Sequence, residues 1–163
     1  MARRSRAREV ALQLLFLKDQ NGIPVPRPAV ERFAHDRLRD PDLVAFGLAL
    51  YDGVLRHQVE IDQALAGTAE NWRLHRMMPA DRNVLRLGAY ELLHDPEPSP
   101  AAAVLNEAIE LARRFGTAES PGFVNGILDK IARTRNAERG TRNAEAPAEP
   151  APAVPATPEP PST

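Results

Sequence analysis

The stretch SPAAAVLNEAIELARRFG, residues 99–116, restricts the fold more than any other part of the chain. Val104, Leu105, Ala108, Ile109, Leu111, Ala112 and Phe115 recur three and four residues apart. That spacing lines up side chains on one stripe of a helix and would scatter them over both faces of a strand. An apolar stripe needs a partner to bury it, so one amphipathic helix implies others. Ser99 suits a cap, Pro100 the first helical position and Gly116 a left-handed C-terminal residue.

The same pattern recurs along the chain. A first helix is expected over about 5–19, with Ala7, Val10, Ala11, Leu14 and Lys18 on one stripe. Asn21-Gly22 and prolines 24, 26 and 28 end it. A short amphipathic piece follows over 29–38, cut by Pro41, and then a longer helix over 42–65 carrying Val44, Leu48, Tyr51 and Leu55 and closed by Gly67. Another covers 79–93 with Val84, Leu85, Gly88, Ala89 and Leu92 inward. Ser120-Pro121 repeats the cap signal ahead of Val124, Ile127, Leu128 and Ile131. Alternating β-branched runs are absent, and Asn125-Gly126 lies inside an apolar helical pattern instead of between strands. The fold class is all-α.

From Arg133 to Thr163 seven prolines sit among Ala, Glu and Thr. Such a stretch cannot offset its ordering entropy by burial. The expected organisation is a helical domain over 1–132 and a disordered Pro/Ala/Glu-rich tail over 133–163. TRNAE occurs at 134–138 and again at 141–145 and reads as a slipped duplication in a linker. The remaining length suits one domain. With no cysteine, disulfides and thiolate metal sites are excluded, which fits a reducing, cytoplasmic setting. No stretch has the roughly 18 apolar residues of a membrane span, and the start lacks a secretory pattern, so a soluble, unprocessed protein is expected.

The formal net charge of -1 hides a division along the chain. Residues 1–18 hold five basic side chains against one acidic, and residues 72–86 hold four against one. The segments between and after them are acidic. Arginines in a first helical turn oppose the helix dipole, so helix stability does not account for Arg3, Arg4, Arg6 and Arg8. One reading is a basic arm that keeps the terminus soluble. The other is attraction to a polyanion, favoured by the second island, where Arg73, Arg76, Arg82 and Arg86 accompany Trp72 and His75. Cations interleaved with flat rings suit single-stranded nucleic acid. Phe16 falls opposite the Ala7–Leu14 stripe, where it either stacks on a base or packs with Leu12 under a second set of helices.

Enzyme chemistry finds little support. Histidines 35, 57, 75 and 94 have no metal-ligand spacing, phosphate-binding glycine loops are missing, and Ser99 and Ser120 are explained as caps. No metal or cofactor is expected.

Four segments, RRSRAREVALQLLF, DRNVLRLGAYELL, VLNEAIELARRFG and FVNGILDKI, in this order and spacing, resemble the transcription antitermination factor NusB family over about residues 3–132. The resemblance implies two packed three-helix bundles and no catalysis. It also implies binding of the boxA element of nascent ribosomal RNA leaders together with NusE, a small-subunit ribosomal protein, within an RNA polymerase antitermination complex. The family's arginine-rich RNA-binding N-terminus maps onto Arg3, Arg4, Arg6 and Arg8. Its common Tyr is Phe16 here, which keeps the stacking face and loses a hydroxyl. The FVNG motif falls on Phe123, Val124, Asn125 and Gly126, with Phe123 and Asn125 as further RNA-binding candidates. Asn125 also fits a satisfied core amide. The often basic residue before this motif is Gly122, and Arg114 replaces a Lys. The competing reading is a helical protein–protein adaptor whose basic islands meet acidic partners. A third is the related domain at the front of some ribosomal RNA methyltransferases, for which the chain is too short.

Overall fold

The computed structural model describes residues 3–69 and 74–145. They form α1 (Arg3–Asn21), α2 (Arg27–Leu38), α3 (Pro41–Arg56), α4 (Gln58–Thr68), α5 (Pro79–Leu93), α6 (Ala101–Phe115) and α7 (Ser120–Glu145), with a single 3₁₀ turn, Leu74–Arg76, before α5. No strand occurs among the described residues.

α5 is the hub. It touches α1, α3, α4, α6 and α7, and every residue from Asn83 to Leu92 is buried. A helix buried all round belongs in the centre of a core. On one side α1 packs on α2 and α3, and on the other α6 packs on α7, so two three-helix groups, α1–α3 and α5–α7, meet along α5 and α1. α4 lies against α5 and α7. The inward residues expected in α5 and α7 are all buried.

The helix expected over 42–65 is two helices. His57 leaves helical geometry (φ -106°, ψ 15°) while its N–H still bonds Gly53 O at 3.1 Å and its carbonyl accepts Ile61 N–H at 2.9 Å. α3 therefore stops and α4 restarts with no backbone group lost, and α4 turns onto α7. Neither Pro nor Gly marks the break. Close to it, a Cβ on Gly53 would overlap the Tyr90 ring, so α3 and α5 approach closely only because Gly53 has no side chain.

The turn between α6 and α7 also differs from expectation. Gly116 is extended (φ -99°), not left-handed. A side chain there would overlap the Ser120 hydroxyl, which accepts the Thr117 N–H at 2.8 Å and ties the turn. Ser99 does not cap α6; Pro100 stands at that position without a side-chain bond, and Ser99 Oγ accepts from Arg8 at 3.4 Å.

α7 continues to Glu145, so residues 133–145 of the expected tail are helical. Residues 133–145 propagate an existing helix, and adding residues to a formed helix is far easier than nucleating one. The rest of the expected tail lies outside the described residues.

Candidate nucleic-acid interface

The four arginines of α1 do not share one face. Arg8 is only 5% exposed and makes a bidentate pair with Glu91, Nη2 at 2.8 Å and Nε at 3.0 Å from Oε1. Burial pushes the Glu91 carboxyl up against the pull of the Arg8 guanidinium. Arg4 lies on the same side, its guanidinium 4.8 Å from the Phe46 ring centre, and Arg3 pairs with Asp40 at the start of α3. Arg6 alone points the other way, 3.3 Å from Glu9. Glu9 is buried and also receives Arg114 of α6 at 2.9 Å, so two guanidiniums share one carboxylate and leave positive charge beside the α1–α6 seam.

The second island turns inward. Arg86, 8% exposed, grips Asp62 at 2.9 and 3.0 Å and lies 3.6 Å from Asp19. Arg82 pairs with Asp19 and donates to the carbonyls of Leu74 and Met77, both at 3.3 Å. It thereby fixes the 3₁₀ turn that carries Arg76. Burial alone would raise the Asp19 carboxyl, but hydrogen bonds and charge from Arg82, with Arg86 and Asn83, hold it below the usual range. Trp72 and Arg73 lie outside the described residues.

The two islands therefore do not act as whole clusters, and only some of their arginines keep an exposed side chain. Asp19, which anchors Arg82 and Arg86, is fifteen residues along α1 from Arg4, about 22 Å at 1.5 Å per residue. Arg8, Arg82 and Arg86 are withdrawn from the candidate contact set because each is neutralised by an internal carboxylate. Unpairing any of them to reach a phosphate would strand that carboxylate.

A different surface carries Arg6, Phe16, Arg76 and Phe123, while Arg3 and Arg4 lie on the α3 side. Arg6, Gln13 and Phe16 fall on one outward stripe of α1, at i, i+7 and i+10. Phe16 is 41% exposed and lines an open groove of about 370 Å³ with Gln13, Leu17, Phe33, Ala80 and Phe115. Phe115, expected in the core, is 37% exposed because it walls this groove. The Arg37 guanidinium covers Phe33 at 3.4 Å. Across the first turn of α5 a second groove, about 350 Å³, is lined by Arg76, Met78, Asp81, Thr117, Glu119 and Phe123. Phe123 is half-buried, and Asn125 is exposed on α7, so it is no core amide.

Asp81 is the residue that the sequence conceals. It is 9% exposed, and its Oδ1 has no hydrogen-bond partner among the described residues. A buried acceptor without a donor costs free energy until one arrives. In the sequence Asp81 looks like an ordinary acid in a first helical turn, where the dipole favours it. Phe115 was legible only as the end of an amphipathic stripe, and Arg114 only as the basic residue standing in for a Lys.

Histidines 57 and 94 stack with ring centres 4.3 Å apart, and no group of three or more metal-ligating side chains exists among the described residues. No helix among them is long and apolar enough to cross a membrane.

Fold and grooves together describe a helical binding domain with an aromatic, partly cationic face. The chain belongs to the NusB family, whose model matches residues 5–133. It is 46% identical over 132 residues to the transcription antitermination protein NusB of Sorangium cellulosum, covering 81% of this chain and 93% of that protein. Among solved structures it resembles T. maritima NusB (34% identity, TM-score 0.71, 82% of this chain and 92% of that one). It also resembles a chain from a structure of antitermination factors NusB and NusE in complex with dsRNA (26% identity, TM-score 0.70, 82% and 98%).

Proposed function

We propose that this protein is a non-catalytic, cytoplasmic RNA-binding antitermination factor. It binds the boxA element of nascent ribosomal RNA leaders together with a NusE-type ribosomal protein and acts within an RNA polymerase antitermination complex. Family membership supports this reading, as does the solved NusB–NusE–dsRNA relative. The observation that carries it is the stripe Arg6–Gln13–Phe16 leading into two adjoining grooves, one of which is lined by Asp81.

Arg6, Arg76 and Arg114 meet phosphates, which position the strand without reading it. Phe16 and Phe115 offer faces for unstacked bases, and Asp81 lines the second groove beside them. More acidic helix surface is left for the basic ribosomal partner. Three phosphate contacts on a single strand give a log K against log salt slope of about -2, at roughly -0.7 per phosphate.

The test is fluorescence anisotropy with a short boxA RNA and a scrambled control. Phe16→Ala is expected to weaken boxA about tenfold, within the roughly 1–3 kcal/mol of a stacked base, and the control much less. Arg6→Ala weakens both alike and flattens the salt slope by about 0.7. Equal losses for Phe16→Ala on both RNAs remove Phe16 from sequence reading, and no RNA shift at all favours the adaptor.

A further inference from the structure

Beyond the family match, α7 runs on as a helix rich in cations. Within residues 130–142 stand Lys130, Arg133, Arg135, Arg139 and Arg142 against one acid, Glu138. Arg133 is taken up by Asp129 at 2.9 Å. Arg135, Arg139 and Arg142 have no ion-pair partner among the described residues, and they follow at i, i+4 and i+7 on one stripe. That stripe continues the buried line of Val124, Leu128 and Ile131, so the positions that would extend the apolar seam carry guanidiniums instead. Like charges four apart weaken an isolated helix, and partial burial, with the charge of Arg139, disfavours the charged form of Arg135. The dipole favours Arg142 in the last turn, but helix stability does not explain Arg135 and Arg139.

We propose that this distal half of α7 is a second RNA-contacting element, in which Arg135, Arg139 and Arg142 hold phosphates of nucleotides flanking the segment in the grooves. The inference rests on the RNA-binding reading above. α7 begins at the second groove with Phe123 and carries its arginines away from it, Arg135 about 18 Å and Arg142 about 28 Å along the axis. The partner is a phosphate backbone and not a membrane or protein, because beyond the core residues Ile131 and Ala132 the uncharged residues up to Arg142 are Thr134, Asn136, Ala137, Gly140 and Thr141. No apolar face exists to enter a bilayer, and no aromatic or large aliphatic anchor exists to seed a protein interface. Charge without an apolar anchor suits sequence-independent backbone contact.

The experiment uses the full chain and a triple variant, Arg135→Gln, Arg139→Gln and Arg142→Gln, whose helicity is checked by circular dichroism. Each is titrated across a salt series with a boxA RNA of about 12 nucleotides, within the site size of single-strand binders, and with boxA and scrambled RNAs extended at both ends. The wild type is expected to bind extended RNA more tightly, with a salt slope steeper by about 2 from three added phosphates. The variant loses that increment and keeps its affinity for the short RNA. If the variant matches the wild type on both extended RNAs, the proposal is overturned. If the short boxA RNA is not preferred to its scramble, the groove reading fails, whereas the wild-type-to-variant difference on extended RNA still decides the fate of this element.

Discussion

The two basic islands look alike in the sequence, yet in the fold much of the second is drawn inward while most of the first stays at the surface. In α1, Arg6 stays at the surface beside Glu9, whereas Arg82 and Arg86 of α5 are drawn into carboxylates contributed by α1 and α4. Arg8 breaks the pattern within its own island by pairing with Glu91. A run of cations thus shows how much positive charge a segment carries. Which of those charges remain available is set by acids far away in sequence.

The largest expected effect tests that split. Arg8→Ala should destabilise the fold by about 3–5 kcal/mol in urea denaturation, since it strands Glu91 in the interior, whereas Arg6→Ala should change stability by no more than about 0.5 kcal/mol. Similar losses would erase the distinction between the two. Next, Arg86→Ala should cost about 2 kcal/mol by leaving Asp62 and Asp19 underpartnered, while binding of short boxA RNA to the folded variant stays within about twofold of wild type, less than one lost phosphate contact. A selective tenfold loss of RNA binding would restore Arg86 to the interface.

The smallest effect concerns pH. Asp19 is depressed in the folded state, so its stabilising contribution is complete above the unfolded value of about 3.9 and is lost as pH falls through the lower folded value. Glu91 is raised and has the opposite sign: it favours folding on the acid side and costs stability as pH rises through its elevated value. Asp19→Asn should therefore flatten the loss of stability below about pH 4, measured as urea midpoints. An unchanged acid limb would show that the Arg82 and Arg86 contacts do not discriminate between the charged and neutral carboxyl.

Much of the fold was legible because helix periodicity is local. Val84, Leu85, Gly88, Ala89 and Leu92 declare an inward face of α5 without reference to any other helix. The break at His57 was hidden because neither Pro nor Gly marks it. Gly116 was legible as glycine for the wrong reason, since the need comes from the Ser120 hydroxyl and not from a left-handed turn. Of the candidate site, Arg6, Phe16 and Phe123 were found from charge, helical wheel and family likeness. Asp81, and the withdrawal of Arg82 and Arg86, depend on contacts between residues up to 67 positions apart, such as Arg86 with Asp19. One-dimensional pattern cannot show those.

The central claim is that RNA lies on the α1 outer stripe and the adjoining grooves, not on the α3 side where Arg3 and Arg4 sit. Photocrosslinking a thiouridine-substituted boxA RNA, followed by peptide mapping, tests it most directly. Adducts are expected at Phe16, Phe115 or Phe123, and adducts confined to Phe46 or Tyr90 would contradict it.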